Sequence, residues 1–195
     1  MGEARYKIKE SFPGIVCHVY NRGVNKEKIF RDDEDYIFYL KRVRKYKEKF
    51  NISIICYSLI ANHYHYILEQ LSEYPITKFM RAVHTSYGQY YNKKYNRVGP
   101  LFQDRFKQAM LDDNNFLYIS AYINANAQIH KLINKAEDYK WCSYQDYLEI
   151  RSGTLCDKLR ILSQFNNIEE YKKFTEENAN EFIVKKELSE DILEN

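Results

Sequence analysis

Four stretches of the chain have the hydrophobic and polar patterns typical of β-strands. Residues 14–23, GIVCHVYNRG, predict a strand that runs into an Asn-Arg-Gly turn. Residues 52–60, ISIICYSLI, and 63–69, HYHYILE, predict two strands joined by a two-residue link, most simply an antiparallel pair. Residues 101–111, LFQDRFKQAML, predict a fourth strand with apolar side chains on one face and basic ones on the other.

Helical spacing of apolar residues separates these strands. Residues 31–51 begin with a run of acids suited to a helix start and carry an apolar stripe. Residues 76–95 predict a second amphipathic helix, which ends before Gly99-Pro100. A third helix is predicted over residues 114–133, capped by Asp112-Asp113. Beyond about residue 150, the pattern indicates small acidic helices.

The order of these elements is β-α-β-β-α-β followed by a helix. We therefore predict an α+β fold of the split βαβ type, also called ferredoxin-like or RRM-like. In it, an antiparallel sheet carries helices on one face. We expect a catalytic domain over residues 1–150 and an acidic helical tail over residues 151–195. This fold hosts many activities, so function has to be inferred from particular residues.

The net charge is +3, but it is unevenly distributed. Residues 76–107 hold seven basic side chains and one acid, whereas the chain from residue 160 onward holds five basic and nine acidic ones. The chain also has 19 tyrosines, many of them next to the basic residues. Cations that follow a phosphate backbone, together with aromatic faces for unstacked bases, favour single-stranded nucleic acid. A solvated helix face with half-buried tyrosines is an equally good interpretation of composition alone.

Targeting and cysteine patterns narrow the class of protein further. No stretch has the length of an apolar membrane span, and the first residues, MGEARYKIKESFPG, lack the hydrophobic core of a secretory signal. The four cysteines are widely spaced and form no C-x-x-C, which fits reduced thiols in a core. We expect a cytoplasmic protein with no membrane partner.

Two histidines in the third predicted strand are the first candidates for chemistry. His63 and His65 are two positions apart, so both side chains point to the same face of the sheet. Their stems are about 7 Å apart, and two neutral imidazoles at that spacing can converge on one cation. The alternative is that one or both are hydrogen-bonded sheet residues, because an isolated H-x-H is a weak motif.

The third predicted helix carries side chains that could complete such a site. Tyr118, Tyr122 and Asn126 are four residues apart, so they share one helical face. An Asn oxygen can join two imidazoles around a divalent metal, and a phenol close to that metal can act as a nucleophile. Spacing alone does not distinguish one of 19 tyrosines from the others.

Five ordered motifs resemble a known family, and they span residues 14–150. They are HVYNRGVNKEKIF, CYSLIANHYHYILE, GPLFQDRFK, YISAYINANA and WCSYQDYLE. Their order resembles that of the single-tyrosine HUH transposases, in particular the REP-associated tyrosine transposase branch. The resemblance implies that His63 and His65 bind a divalent metal, Mg²⁺ or Mn²⁺, with Asn126 as a further ligand. It places the nucleophile at Tyr122.

The same resemblance implies an activity. Tyr122 would attack single-stranded or hairpin DNA, form a 5′-phosphotyrosine link and release a 3′-hydroxyl without nucleotide hydrolysis. We expect Arg22, Arg105 and Lys107, which lie in the motif segments, to contact phosphates. Lys93, Lys94 and Arg97 could do the same or be surface charges. His18 shares a face with Tyr20 and Arg22, so it could border the site or make a structural hydrogen bond.

Two alternatives from other functional classes stay open. A hairpin-binding regulator derived from a transposase would bind nucleic acid with steep salt dependence and have no chemistry. A metal hydrolase that activates a water would leave cleaved ends without attached protein. The sequence also leaves open a homodimer, in which the tyrosine helix could serve the histidines of its own subunit or of a partner.

Overall fold

The computed structural model describes residues 11–193, and within this range it leaves undescribed the side chains of Asn114 and of residues 187–193. The backbone contacts divide these residues into two compact units. The first comprises residues 11–55 and 59–111, and the second comprises residues 56–58 and 112–193. The predicted division into residues 1–150 and 151–195 stays a prediction.

The first unit contains two long helices and the sheet, apart from Cys56–Ser58 of the second strand, which are grouped with the second unit. A short 3₁₀ turn, Val24–Lys26, follows the first strand. The elements, in chain order, are β1 (Val16–Arg22), α1 (Asp33–Phe50), β2 (Ile52–Ile60), β3 (His63–Gln70), α2 (Ile76–Lys94) and β4 (Lys107–Met110).

The four strands form one sheet in the order β2-β3-β1-β4. β1 is the central partner: it pairs antiparallel with β3, with Tyr20 opposite His65, and antiparallel with β4, with Tyr20 opposite Lys107. β2 reaches β3 through the two-residue link Ala61-Asn62, the connection that an antiparallel hairpin allows. This is the predicted split βαβ fold, which is therefore confirmed.

Both helices lie on one face of this sheet because each buries an apolar stripe there. α1 starts at Asp32, whose carboxylate accepts from the backbone N–H of Asp35 at 3.1 Å, and it ends at Asn51 in the left-handed conformation. Tyr39 of α1 and His84 of α2 both contact Tyr64 of β3, with ring centroids 6.1 Å and 5.6 Å away. The core therefore lies between the helices and the Tyr64 side of β3.

The predicted strand over residues 101–111 is wrong in its first half. Only Lys107–Met110 forms β4, and Met110, expected on an apolar inner face, is 57% exposed. The preceding residues bond to the end of β1: Gln103 N–H donates to the Arg22 carbonyl at 2.9 Å, and the Asn21 amide donates to the Asp104 carbonyl at 2.9 Å. Because these bonds take the place of regular strand pairing over residues 101–106, Arg105 lies in a loop and not in β4.

The second unit is built around the predicted tyrosine helix. A capping box starts the helix: the Asp112 carboxylate accepts from Asn115 N–H at 3.0 Å, and the Asn115 side chain accepts from Asp112 N–H at 3.2 Å. The predicted single helix over residues 114–133 is interrupted at Ala125. It forms α3 (Asp113–Asn124) and α4 (Asn126–Ile129) instead.

The remaining elements of the second unit follow α4 in the chain. They are a 3₁₀ turn (Ala136–Asp138), α5 (Tyr144–Tyr147), α6 (Leu159–Leu162) and α7 (Ile168–Leu193). α7 packs on α3 and α4.

A buried polar network joins four segments of the second unit. The Asn124 amide donates to the Tyr171 hydroxyl of α7 at 2.6 Å, and its oxygen accepts from the Ser143 hydroxyl at 2.7 Å. The backbone N–H of Tyr57 in turn donates to Ser143 Oγ at 2.9 Å. Because buried polar groups need partners, this network fixes the end of α3 against α7.

The predictions about membrane spans and about the cysteines can be compared with the structure. Within residues 11–193, none of the helices combines the length and the apolarity needed to cross a membrane. Cys17, Cys56 and Cys142 are buried, and no disulfide joins any of the four cysteines in this part of the chain. These three thiols are core side chains, as predicted, whereas Cys156 is half-buried.

Candidate functional site

The two motif histidines begin β3 and lie on the sheet face opposite α1 and α2. Strand alternation puts Tyr64 on the helix side and the two imidazoles on the other. His65 is buried, His63 is half-buried, and their ring centroids are 5.3 Å apart with the planes nearly perpendicular. The structure therefore brings both imidazoles together, as the spacing predicted.

Hydrogen bonds at Nδ1 fix the orientation of both rings. His63 Nδ1 lies 2.7 Å from the Asn62 side-chain oxygen, an acceptor, so this nitrogen carries the proton. His65 Nδ1 lies 2.9 Å from His18 Nε2, and a proton on His65 Nδ1 satisfies that pair. In both rings this tautomer leaves Nε2 unprotonated, which is the form that binds a metal.

His18 supports His65 by stacking as well as by its hydrogen bond. Its ring lies 4.8 Å from Tyr20 and 5.2 Å from His65, centroid to centroid, and Tyr20 lies 5.5 Å from His65. Burial lowers the pKa of His18 from 6.5 to about 4, because desolvation disfavours the charged imidazole. His18 is therefore neutral at neutral pH and its Nε2 can accept a hydrogen bond.

Strand register places two predicted phosphate contacts beside the imidazoles. Arg22 is directly opposite His63, and Lys107 is directly opposite Tyr20, so all of these side chains share one face. Arg22 Nε donates to Gln103 at 2.5 Å, and Lys107 Nζ lies 5.7 Å from the centre of the Tyr20 ring. Both are exposed, so this face combines imidazoles with cations.

The other four predicted DNA contacts fall into two groups. Arg105 and Lys93 are exposed, the first in the loop before β4 and the second near the end of α2. Lys94 is instead within 3.0 Å of three carboxylates, one of them the buried Asp35. Arg97 donates to the Pro100 carbonyl at 2.8 Å and lies 3.7 Å from Glu27. Lys94 and Arg97 therefore have partners within the protein that compensate their charges.

The predicted nucleophile and amide ligand belong to the second unit. Tyr122 lies in α3 and is half-buried, and Asn126 is the fully buried first residue of α4, just beyond the break at Ala125. The Tyr122 ring packs edge-on against Phe182 of α7, with centroids 5.1 Å apart. The Phe182 ring also lies 4.4 Å from Tyr118. One side chain of α7 thus contacts both tyrosines of this helical face.

The donor set determines which metal would fit. Among residues 11–193, no group of three or more His, Cys, Asp and Glu could hold a metal ion. A site on His63 and His65 therefore needs an oxygen ligand of another kind, such as an amide. Imidazoles suit transition-metal ions, and amide, water and phosphate oxygens suit Mg²⁺ and Mn²⁺, so such a site would combine both kinds of donor. The Nδ1 hydrogen bonds described above fit this use of the two rings.

Comparison with known proteins identifies the family of this chain. Residues 11–126, more than half of the chain, match the family model described as "Transposase IS200 like", so the class of protein is a transposase, an enzyme that acts on DNA. The chain belongs to the IS200-like transposase family. This confirms the resemblance seen in the sequence motifs.

A solved structure shares the fold. A REP-associated tyrosine transposase bound to a REP hairpin matches with a TM-score of 0.61 at 14% identity, over 80% of this chain and 94% of that one. A putative transposase from Deinococcus radiodurans matches with a TM-score of 0.43 at 12% identity, over 63% and 95%. No curated protein matches the sequence significantly. At such identities the first match shows a common fold.

Three supporting residues were not identified by the sequence motifs. Asn62 precedes the H-x-H pair, and only the structure shows that its side chain bonds to His63. For His18 the sequence left two roles open, and the structure shows its hydrogen bond to His65. Phe182 lies 60 residues after Tyr122 and beyond the range of the family model, so no local pattern connects the two.

Proposed function

We propose that this protein is a metal-dependent transposase that cleaves and rejoins single-stranded or hairpin DNA through a 5′-phosphotyrosine intermediate. The observation that carries the proposal is the imidazole pair of a family member, with both Nδ1 atoms hydrogen-bonded so that both Nε2 atoms can bind a metal. The structural match was solved with a REP hairpin, which supports hairpin DNA as the partner.

His63 and His65 would hold Mg²⁺ or Mn²⁺, and Asn126 would add an amide oxygen. The bound metal would neutralise charge on the scissile phosphate and orient it. Asn62 and His18 would keep the two imidazoles in the ligating tautomer. Arg22 and Lys107 share the imidazole face and would position the DNA backbone, and the exposed Arg105 and Lys93 would add phosphate contacts.

Tyr122 would supply the nucleophile. Its phenol oxygen forms the new bond to phosphorus, the bond from phosphorus to the 3′ oxygen breaks, and the phenol proton leaves to solvent while the 3′ oxygen takes up a proton. One phosphodiester replaces another, so no nucleotide has to be hydrolysed. The reverse reaction, with a returning 3′-hydroxyl, rejoins the strands. Phe182, which packs on the Tyr122 ring, would limit the motion of the phenol.

A covalent adduct tests this function directly. Labelled single-stranded hairpin DNA is incubated with the full chain and Mn²⁺, and the products are boiled in detergent before electrophoresis. We expect a protein-linked band with the wild type and none with Tyr122→Phe. Tyr118→Phe is the matched control, because it removes a phenol one helical turn away on the same face. It should keep the adduct.

Each of the other outcomes would support a different function or a different nucleophile. Cleaved DNA without attached protein would support a metal hydrolase and refute the phosphotyrosine step. Tight hairpin binding with neither cleavage nor adduct would support the non-catalytic regulator. An adduct lost in Tyr118→Phe and kept in Tyr122→Phe would move the nucleophile to Tyr118. A homodimer, with the tyrosine acting within one subunit or across two, stays a prediction.

A further inference from the structure

A groove of about 410 Å³ runs between α1 and α2 of the first unit. Tyr46 and Phe50, from the last turns of α1, line one wall, and Lys78 and Arg81, from the first turns of α2, line the other. The helices separate this groove from the sheet, whose other face carries His63 and His65. The groove is therefore distinct from the proposed metal site.

Four cations line or flank this groove, and within residues 11–193 none of them has an acidic partner. Residues 41–50 hold six basic side chains and one acid. Among the residues that the structure describes, no carboxylate forms a salt bridge with Lys45, Lys49, Lys78 or Arg81. Lys94, at the other end of α2, contrasts with them because it contacts three carboxylates. Unpaired cations from two helices create a surface that attracts a polyanion.

Aromatic rings accompany these cations. Lys45 Nζ lies 5.9 Å from the Tyr46 ring centre and Lys49 Nζ lies 5.5 Å from the Phe50 ring centre. Both rings are half-buried, so part of each is accessible from the groove. Phosphate-binding cations beside accessible aromatic faces are the combination used to bind single strands, because every base can stack on a ring. Duplex DNA offers phosphates to such a groove but no unstacked base.

We propose that this groove is a second DNA-binding surface that holds the single strand flanking the cleaved hairpin. The proposal rests on the proposed function, because it assumes that hairpin DNA is bound at the other face of the sheet. Lys45, Lys49, Lys78 and Arg81 contact phosphates, and Tyr46 and Phe50 stack with bases. A strand held at both surfaces dissociates more slowly than one held at either alone.

The test compares two DNA molecules and does not depend on catalysis. Fluorescence anisotropy in EDTA measures the affinity of the full chain for a hairpin with no flank and for the same hairpin with a flank of 20 thymidines. We expect Lys78→Glu/Arg81→Glu to weaken binding of the flanked hairpin by about tenfold or more and to leave the unflanked hairpin unchanged. Its salt slope should become shallower by about 1.4, since each lost phosphate contact removes about 0.7.

The variant and its control are chosen to preserve the fold. Glutamates in the first turns of α2 suit the positive end of the helix dipole, so thermal melting should be unchanged. Lys135→Glu/Lys173→Glu alters net charge equally in the second unit and should bind both DNAs as the wild type does. Equal weakening by both double variants would mean a general charge effect and overturn the proposal.

Two further results separate the possible failures. If the groove variant binds the flanked hairpin like wild type, or if the groove prefers a polyglutamate peptide over the flanked DNA, the groove proposal is wrong. The covalent-adduct assay then still decides the proposed function. Conversely, the protein could form no covalent adduct while the groove variant still weakened binding of the flanked hairpin. That result would support a DNA-binding groove on a protein without the proposed catalysis.

Discussion

A single hydrogen bond between imidazoles determines how His65 can act. His18 Nε2 lies 2.9 Å from His65 Nδ1, and the two rings stack. A metal-bound histidine commonly donates its other N–H to a fixed acceptor, which sets the tautomer and the ring orientation. We interpret His18 as that acceptor, and therefore as a residue that positions His65 without touching the DNA.

Replacement of the His18 acceptor should weaken metal binding. We expect His18→Phe, which keeps an aromatic ring beside Tyr20, to reduce Mn²⁺ affinity by about 10- to 100-fold. Titration of the full chain with Mn²⁺, followed by electron paramagnetic resonance, measures this. His18→Gln, whose amide oxygen can accept, should recover most of the affinity. Unchanged affinity in His18→Phe would show that the hydrogen bond has only a structural role.

Between elements, the start of α1 and the end of α2 are joined by an ionic cluster. Lys94 of α2 lies 3.0 Å from the fully buried Asp35 of α1. The Tyr95 hydroxyl and Arg31 N–H also bond to Asp35, each at 2.8 Å. The carboxylates raise the pKa of Lys94 above its usual value, which burial alone would lower. Lys94 therefore stabilises the packing of the two helices.

Two neighbouring lysines allow this cluster to be tested. We expect Lys94→Met to lower the free energy of unfolding by about 2 kcal/mol, because the buried Asp35 carboxylate loses its cation but keeps three hydrogen bonds, including a longer one from the Tyr90 hydroxyl at 3.3 Å. Lys93→Met, one residue earlier and exposed, should change stability by less than about 0.5 kcal/mol and instead weaken DNA binding. Urea unfolding and DNA titration of both variants make the comparison. If instead Lys94→Met weakened DNA binding and Lys93→Met lowered stability, Lys94 would be a DNA contact and Lys93 a structural residue.

The C-terminal helix has a comparable role for α3. α7 packs along α3 and presents Phe182 to the ring of Tyr122, while Tyr171 of α7 accepts the hydrogen bond from Asn124. These contacts give residues beyond the family-model match a structural reason to influence the candidate nucleophile. The acidic tail is therefore part of the tyrosine-bearing unit.

A truncation of Phe182 should affect the reaction more than DNA binding. We expect Phe182→Ala to slow adduct formation by about tenfold or more, because the phenol loses a neighbour that restricts its orientation. Hairpin affinity should remain unchanged. Phe174→Ala is the matched control: Phe174 is a half-buried phenylalanine of the same helix whose ring lies 5.4 Å from Phe165. Equal slowing in both variants would indicate general destabilisation of α7.

Across the whole molecule, the basic and the acidic segments of the chain belong to different structural units. The basic residues of 76–107 belong mostly to the first unit's second helix and last strand, whereas the acidic residues of 160–193 all belong to α7. A sum of charges cannot distinguish a neutralised cation from an available one. Lys93 and Lys94 are adjacent in the sequence, but only Lys94 is surrounded by carboxylates.

Some parts of the fold followed from local patterns and others did not. β1, β2, β3 and the two long helices were predictable because strand patterns and helical spacing persist over seven or more residues. The loop over residues 101–106 was mistaken for strand because its alternation continues into β4, while its backbone bonds to the end of β1. The break at Ala125 was not predicted, although the flanking asparagines are poor helix formers.

By itself, the sequence determined the order of the elements, the shared face of His63 and His65, and the family, because these depend on periodicity and on ordered motifs. The tertiary structure alone decided which groups support the candidates. His18 on β1 contacts His65 on β3, 47 residues later in the chain, and Phe182 on α7 contacts Tyr122 on α3. Such contacts depend on strand register and helix packing, and a linear pattern contains neither distance nor orientation between elements distant in the chain.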